Sequence, residues 1–309
     1  MNLQAHADAS GRNQLLLSVL LVVALAMLAI LTRPLTPIDE TRYVSAAWEM
    51  WLRGDFLVPF KNGAPYSHKP PFMFWMIHAG WAVFGVNDWW PRLVMPLFSV
   101  GALLLTYLLA RRLWPQRAGL GGQATLVLVS SLLWVVFSTS LMFDVMLAFW
   151  VLLGMHGVLS ATNGKRRGFV MLGIAIGMGV LTKGPVILLN LLPITVLAPW
   201  WNLGLSHGPV KERMKWGRWF GGVGLAVLLG AAIALAWAIP AGTHGRLIKV
   251  SPSSTPSIFQ PPQASATKKA STIASASTKV ARRVAGGSAR NRLSKPRWPR
   301  LSAASAAPK

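Results

Sequence analysis

Outside the 33–90 loop, the chain between Gln14 and Thr243 runs seven times for 15 or more residues without a charged side chain: 14–32, 93–110, 118–143, 145–164, 168–182, 184–210 and 219–243. A bilayer core takes roughly 20 helical residues, so this pattern predicts an all-α, polytopic membrane protein with about seven transmembrane helices. Composition agrees: 53% apolar residues, only 13% charged residues and a mean hydropathy of +0.47 exclude an ordinary soluble surface. The absence of cysteine excludes disulfides, thiolate metal sites and cysteine nucleophiles. Only Arg12 lies between Asp8 and the first run, and no small-x-small cleavage site stands out, so the run reads as a retained helix after a cytoplasmic N-terminus at 1–13.

Charge decides which way the spans face. Arg111, Arg112 and Arg117 follow the second span, and Lys165, Arg166 and Arg167 follow the fourth. Lys211, Arg213, Lys215 and Arg218 follow the sixth if 168–200 is two helices broken at Lys183-Gly184-Pro185. The positive-inside rule places all three loops in the cytoplasm. The 33–90 loop, the Ser138-Thr139-Ser140 turn beside Asp144 and the Lys183 break then share the outer side.

Five of the eight acidic residues, Asp39, Glu40, Glu49, Asp55 and Asp88, fall in that 33–90 loop. Asp39 stands where an N-cap would be, before a helix whose apolar residues Tyr43, Ala46, Ala47, Met50 and Trp51 recur at helical spacing and which ends near Gly54. A second helix, from Phe72 to Phe84, carries the aromatic load of a headgroup-level segment. The bland reading of Asp39-Glu40 is a cap favoured by the helix dipole. Asp144 at the start of a span costs up to ~3 kcal/mol by insertion scales and marks a functional or paired carboxylate. Snorkelling is the bland reading of Lys183, but two carboxylates and a lysine on one surface favour a shared site.

A site half in the membrane suits a substrate with a lipid tail and a polar head. A sugar donor outside the cytoplasm would be a lipid phosphate. Its leaving group needs cations, a role for Arg42, Lys69 or Lys183, and an acceptor hydroxyl needs a carboxylate, for which Asp39 is the candidate. Glu40, Tyr43 and His68 flank these groups and complete the substrate-binding set. A single histidine is a weak metal signal, and His68 is the one candidate ligand. Gly173-x-x-x-Gly177 and Gly217-x-x-x-Gly221 predict close helix approaches. Walker, His-Glu-x-x-His and Gly-x-Ser-x-Gly motifs are all missing, so nucleotide hydrolysis, zinc proteolysis and elbow-serine chemistry have no support.

The ordered motifs Pro37-Ile38-Asp39-Glu40-Thr41-Arg42-Tyr43, Trp48-Glu49-Met50, Gly54-Asp55-Phe56, Pro59-Phe60-Lys61-Asn62-Gly63 and Tyr66-Ser67-His68-Lys69-Pro70-Pro71 resemble a known first periplasmic loop. It is that of the bacterial aminoarabinose transferase and protein mannosyltransferase-like family, GT-C glycosyltransferases that use polyprenyl-phosphate sugars. Phe143-Asp144 and Leu181-Thr182-Lys183-Gly184-Pro185 fall where that family has membrane-edge motifs, and the resemblance covers about residues 15–240. It implies catalytic roles for Asp39 and Asp144, donor-phosphate contacts from Lys69 and Lys183, and an inverting displacement. It further implies a bacterial inner-membrane location, a site facing the periplasm, and an acceptor such as lipid A, an envelope glycan or a protein. The family admits a divalent metal. Aminoarabinose transferases often carry an acid before the loop lysine, where this chain has His68.

Residues 243–309 are rich in Ser, Ala, Pro, Thr, Lys and Arg; from 241 on the chain holds 13 of its 31 basic residues and no acid. Such a composition predicts a basic tail without a core, disordered or produced by a frame change near Thr243 in a longer gene. A tail emerging on the outer side gives no reason to expect nucleic acid as a partner; membrane lipids are the expected surroundings. Two alternatives to the enzyme remain at this stage: a transporter with Asp144 and Lys183 on its pathway, for which no internal repeat is seen, and an inactive truncated fragment.

Overall fold

A computed structural model describes residues 2–66, 68–205 and 216–250, with side chains described for 6–66, 68–201 and 216–244. The basic tail from 251 onward lies outside these residues, as do Lys211, Arg213 and Lys215 of the third basic loop.

Helix α1 (Asn2–Thr32) begins twelve residues before the apolar run, so most of segment 1–13 continues the first helix. After it come α2 (Asp39–Arg53), a two-stranded hairpin β1 (Phe60–Lys61) and β2 (Ala64–Pro65), and α3 (Phe72–Phe84). The remaining helices are α4 (Trp89–Leu113), α5 (Leu120–Ser130), α6 (Leu132–Thr139), α7 (Phe143–Thr162), α8 (Arg167–Lys183), α9 (Val186–Val196), α10 (Ala198–Leu205) and α11 (Trp216–Val250). The composition change at Thr243 therefore falls inside a helix.

Among the described residues, four helices are long and apolar enough to cross a bilayer: α1, α4, α7 and α11. A fifth span counts if α5 and α6, bent by 74° at Ser131, form one crossing. The count differs from the seven or so expected because several apolar runs are broken or short. The 118–143 run is broken where Ser131 turns extended (φ −69, ψ 124). The 17 residues of α8, about 25 Å, sit at the short end of the range for a span, although α8 runs back along α7 far enough to set Lys183 against Asp144, and the 184–210 run is divided between α9 and α10. The break at Lys183-Gly184-Pro185 is real: Gly184 takes φ 75, ψ −158, a conformation open to glycine alone.

Helix α8 lies between α7 and α11, while α4 touches α1, α5 and α7. Gly173 and Gly177 make the α8–α11 approach possible: a Cβ on Gly173 would stand 2.9 Å from the Ala226 carbonyl and one on Gly177 2.7 Å from Ile233 Cβ. Among the described residues, Gly217 and Gly221 have no such neighbour within 4 Å. Gly222 instead faces the Phe169 ring.

The outer loop is folded. Helix α2 buries Tyr43, Ala46, Ala47 and Met50, the face its periodicity marked, each large side chain contributing about 2 kcal/mol. It stops at Gly54 (φ 63), whose N–H bonds to Trp51 O while Asp55 N–H bonds to Met50 O, a Schellman ending. The hairpin turns through Asn62 (φ 54) and Gly63 (φ 80), the backbone an Asn-Gly type I′ turn requires. Buried Glu49 docks it on α2 by accepting the Gly63 N–H (2.9 Å) and pairing with Arg53 (2.9 Å), which also lies over the Phe60 ring. Helix α3 is mostly buried, with Phe74 and Trp81 in the core and Phe84 exposed. The far part of α11 reaches this loop through Trp237 Nε1 to the Leu57 carbonyl (2.9 Å) and His244 to Asp55 (3.1 Å).

Candidate functional site

Asp39 is the first residue of α2 and does not cap it; the cap position is Ile38, without a side-chain bond. Its carboxylate pairs with Arg42 one turn on and remains 41% exposed. Arg42 also donates to the Tyr43 hydroxyl (3.4 Å). That bond is the largest reason the guanidinium is pushed above its ordinary value, with Tyr66 and Asp39 adding to it against the cost of desolvation.

Tyr43 carries the group across to α7. Its ring meets Phe143 edge to face at 5.0 Å. The Lys69 ammonium lies 5.9 Å from the Tyr43 ring centre and 5.0 Å from that of Phe143, within cation–π range of both. At the next residue the chain turns outward: Phe143 is buried, and Asp144 is 46% exposed and accepts from Lys183 Nζ at 2.6 Å. The step from Phe143 to Asp144 thus joins an Asp39–Arg42–Tyr43–Lys69 cluster to an Asp144–Lys183 pair. Asp144 also borders an apolar cavity of about 560 Å³ lined by residues such as Thr106, Trp134, Leu147, Val151 and Asn190.

The other two expected substrate contacts differ in accessibility. Glu40 is 1% exposed. One oxygen accepts from Arg33 Nη2 (3.1 Å) and the Leu141 N–H (2.8 Å), the other from the Thr36 N–H (2.6 Å), which leaves no face for a ligand. Arg33 also donates to the Thr139 carbonyl (2.8 Å). His68 is exposed, with its ring 5.7 Å from that of Tyr66.

Sequence reasoning passed over Arg33, Arg92 and Tyr66. Arg92, 8% exposed, donates to the Ile30 (3.2 Å) and Arg33 (2.7 Å) carbonyls and so closes the end of α1. Neither arginine has a sequence signal beyond its place beside an apolar run. Tyr66 lay inside a quoted motif, but only the fold sets it within electrostatic reach of Arg42.

A divalent metal fits these residues poorly. Among the described residues no three His, Asp or Glu side chains come together, and the carboxylates of Asp39 and Asp144 are each paired with a cation.

The fold and this membrane-edge cluster define a polytopic helical membrane protein with a folded extramembrane loop. Residues 14–244 match the dolichyl-phosphate-mannose-protein mannosyltransferases, and the chain belongs to that glycosyltransferase family. Similar curated proteins are undecaprenyl phosphate-alpha-4-amino-4-deoxy-L-arabinose arabinosyl transferases. That of Pseudomonas aeruginosa (strain UCBPP-PA14) is 36% identical over 214 residues, 67% of this chain and 36% of the relative. One from Pseudomonas fluorescens (strain Pf0-1) is 33% identical over 230 residues, 72% of this chain and 38% of the relative. The crystal structure of ArnT from Cupriavidus metallidurans in the apo state shares the fold at a TM-score of 0.57 and 26% identity, over 79% of this chain and 43% of that one. The same protein bound to undecaprenyl phosphate superposes with a TM-score of 0.58 at 23% identity, over 74% of this chain and 41% of that one. This chain therefore spans little more than a third of the length of the curated relatives it matches.

Proposed function

We propose that the chain carries the catalytic loop of a bacterial inner-membrane glycosyltransferase that moves a sugar from a polyprenyl phosphate to an envelope acceptor: lipid A, a glycan or a protein. The observation that carries this reading is the run of contacts from Asp39 through Arg42 and Tyr43 to Phe143, with Lys69 over the Tyr43 and Phe143 rings and the next residue, Asp144, paired with Lys183. The matches to arabinosyl transferases acting from undecaprenyl phosphate support it.

In this reading the acceptor oxygen attacks the anomeric carbon as the bond from that carbon to the phosphate oxygen breaks, and the configuration inverts. Asp39 receives the proton of an acceptor hydroxyl, with Arg42 fixing the carboxylate's orientation. Negative charge grows on the departing phosphate, and Lys69 and Lys183 are the cations placed to take it up. The apolar cavity beside Asp144 offers space for the polyprenyl chain. The site faces the periplasm, opposite the basic loops.

The test supplies the membrane-reconstituted chain with a labelled polyprenyl-phosphate sugar and envelope extract. Transfer that falls at least ~100-fold in Asp39→Asn supports the reading. A folded chain that transfers no sugar rejects it in favour of an inactive fragment, the alternative raised by the partial length of the match.

A further inference from the structure

On the side of the membrane away from the outer loop, the ends of α4 and α7 enclose a cation between neutral partners. Arg112 Nη1 donates to Nδ1 of His156 (3.2 Å) and to the Ser160 hydroxyl (3.3 Å). A guanidinium only donates. Nδ1 is therefore the accepting nitrogen, and Nε2 carries the hydrogen given to the Leu105 carbonyl (2.9 Å). The Ser160 hydroxyl passes its own hydrogen to the His156 carbonyl (2.8 Å). His156 and Ser160 are buried at 4% and 6% exposure, whereas Arg112 is exposed.

This arrangement orients one edge of the guanidinium and, among the described residues, leaves its charge unopposed. Among the described residues no carboxylate pairs with Arg112; Asp8 at this end is with Arg111 (3.8 Å). The Lys165 amide bonds to the Ser160 carbonyl (3.1 Å), which brings the Lys165-Arg166-Arg167 loop to the same edge and adds positive charge. Arginines and lysines gathered at the cytoplasmic boundary attract anionic lipid headgroups.

On the same stretches of α4 and α7 lies an apolar groove of about 370 Å³. Leu109 and Leu113 line it on either side of Arg112 in the sequence of α4, and Met155 and Leu159 line it immediately before His156 and Ser160 on α7. Ile194 and Trp201 close it from α9 and α10; the Trp201 indole N–H is already given to the Ile194 carbonyl, so the ring offers only apolar surface. The interleaving of the two residue sets places a headgroup charge and a tail groove side by side.

We infer that this edge binds an anionic glycerophospholipid, with its phosphate on the open side of the Arg112 guanidinium and one acyl chain in the groove. Charge selects the anionic class over a zwitterionic one, and the groove selects a lipid over a free phosphate. The inference is independent of sugar transfer.

Native mass spectrometry of the full chain in neutral detergent tests it, with titrations of dioleoylphosphatidylglycerol, dioleoylphosphatidylethanolamine and glycerol phosphate. Phosphatidylglycerol is expected to bind at least about fivefold more tightly than phosphatidylethanolamine. Arg112→Gln should remove that preference, and Leu159→Trp, which fills the groove and keeps the cation, should weaken phosphatidylglycerol binding to a similar degree. Equal binding of the two lipids by the unaltered chain, a preference that survives Arg112→Gln, or glycerol phosphate binding as well as the lipid overturns the proposal. If Arg112→Gln does not fold, the lipid comparison on the unaltered chain and the Leu159→Trp variant decide.

Discussion

Glu40 on α2 accepts the backbone N–H of Leu141, 101 residues further along, at 2.8 Å. With Arg33 and the Thr36 amide on the same carboxylate, one buried side chain ties the end of α1, the start of α2 and the approach to α7 into a single joint. Asp39 is its neighbour on one side of the joint, and Phe143-Asp144 begins two residues past the other. Replacing Glu40 with Ala leaves the Arg33 charge and two amides without their acceptor. A loss of roughly 2–4 kcal/mol is expected, with Gln, which keeps one acceptor oxygen, losing less. Unfolding midpoints of the two variants in the same detergent check the order; equal midpoints for Glu40→Ala and the unaltered chain contradict it.

The Asp144–Lys183 contact has a different character. Both side chains are substantially exposed, 46% and 30%, so the pair is expected to couple by no more than about 1 kcal/mol. A double-mutant cycle of Asp144→Asn and Lys183→Gln on unfolding measures this directly. A coupling of several kcal/mol would mean that the pair serves mainly to hold α7 and α8 together and not to meet a ligand.

Two glycine motifs that look alike in the sequence should respond oppositely. Gly173→Ala drives a methyl to 2.9 Å from the Ala226 carbonyl and 2.8 Å from Leu229, which forces α8 and α11 apart at a cost of about 1–3 kcal/mol. Gly221→Ala meets nothing within 4 Å and gains up to about 1 kcal/mol of helix propensity. Thermal unfolding of the two variants, measured side by side, would show the same sign only if the assigned α8–α11 contact were wrong.

His78 on α3 donates from Nε2 to the Ala47 carbonyl at 2.9 Å and lies among Trp51, Phe56 and Trp81. A carbonyl only accepts, so Nε2 carries the hydrogen. Burial lowers the His78 pKa below 6.5, partly offset by the Ala47 bond. The unfolded chain then takes up a proton at a pH where the folded one does not. Stability is complete above 6.5 and falls as pH drops below that value, by at most about 1.4 kcal/mol per pH unit. His78→Gln keeps a donor for Ala47 and should flatten this part of the curve. A pH dependence of unfolding between 7.5 and 5.5 that is identical in the variant would rule His78 out as its source.

Much of the loop can be read along the chain because its signals are local. The apolar stripe of α2, its stop at Gly54 and the extent of α3 depend on residues within one or two turns of each other, and all three are where the pattern puts them. The break before Gly184 is legible for the same reason. The 118–143 run shows the limit: nothing in 26 uncharged residues reveals that Ser131 bends the path by 74°. Hydropathy records what a helix may touch but not where it turns. The hairpin was missed although Asn62-Gly63 is a strong turn signal, because strands of two residues carry no alternation to read.

The candidate site divides in the same way. Asp144 and Lys183 could be chosen from charge placed where a bilayer makes it costly, since that cost depends on residue type and span position alone, while Asp39, Arg42, Tyr43 and Lys69 stand out by their place in the outer loop and its family motifs. Which of them share an ion pair, that Lys69 rests on two aromatic rings, and that Glu40 is a buried tie and not a ligand contact were decided by packing between α2, α7 and α8. Those contacts join residues as much as a hundred positions apart, and their strength depends on distance and burial, which a linear order of residues does not contain.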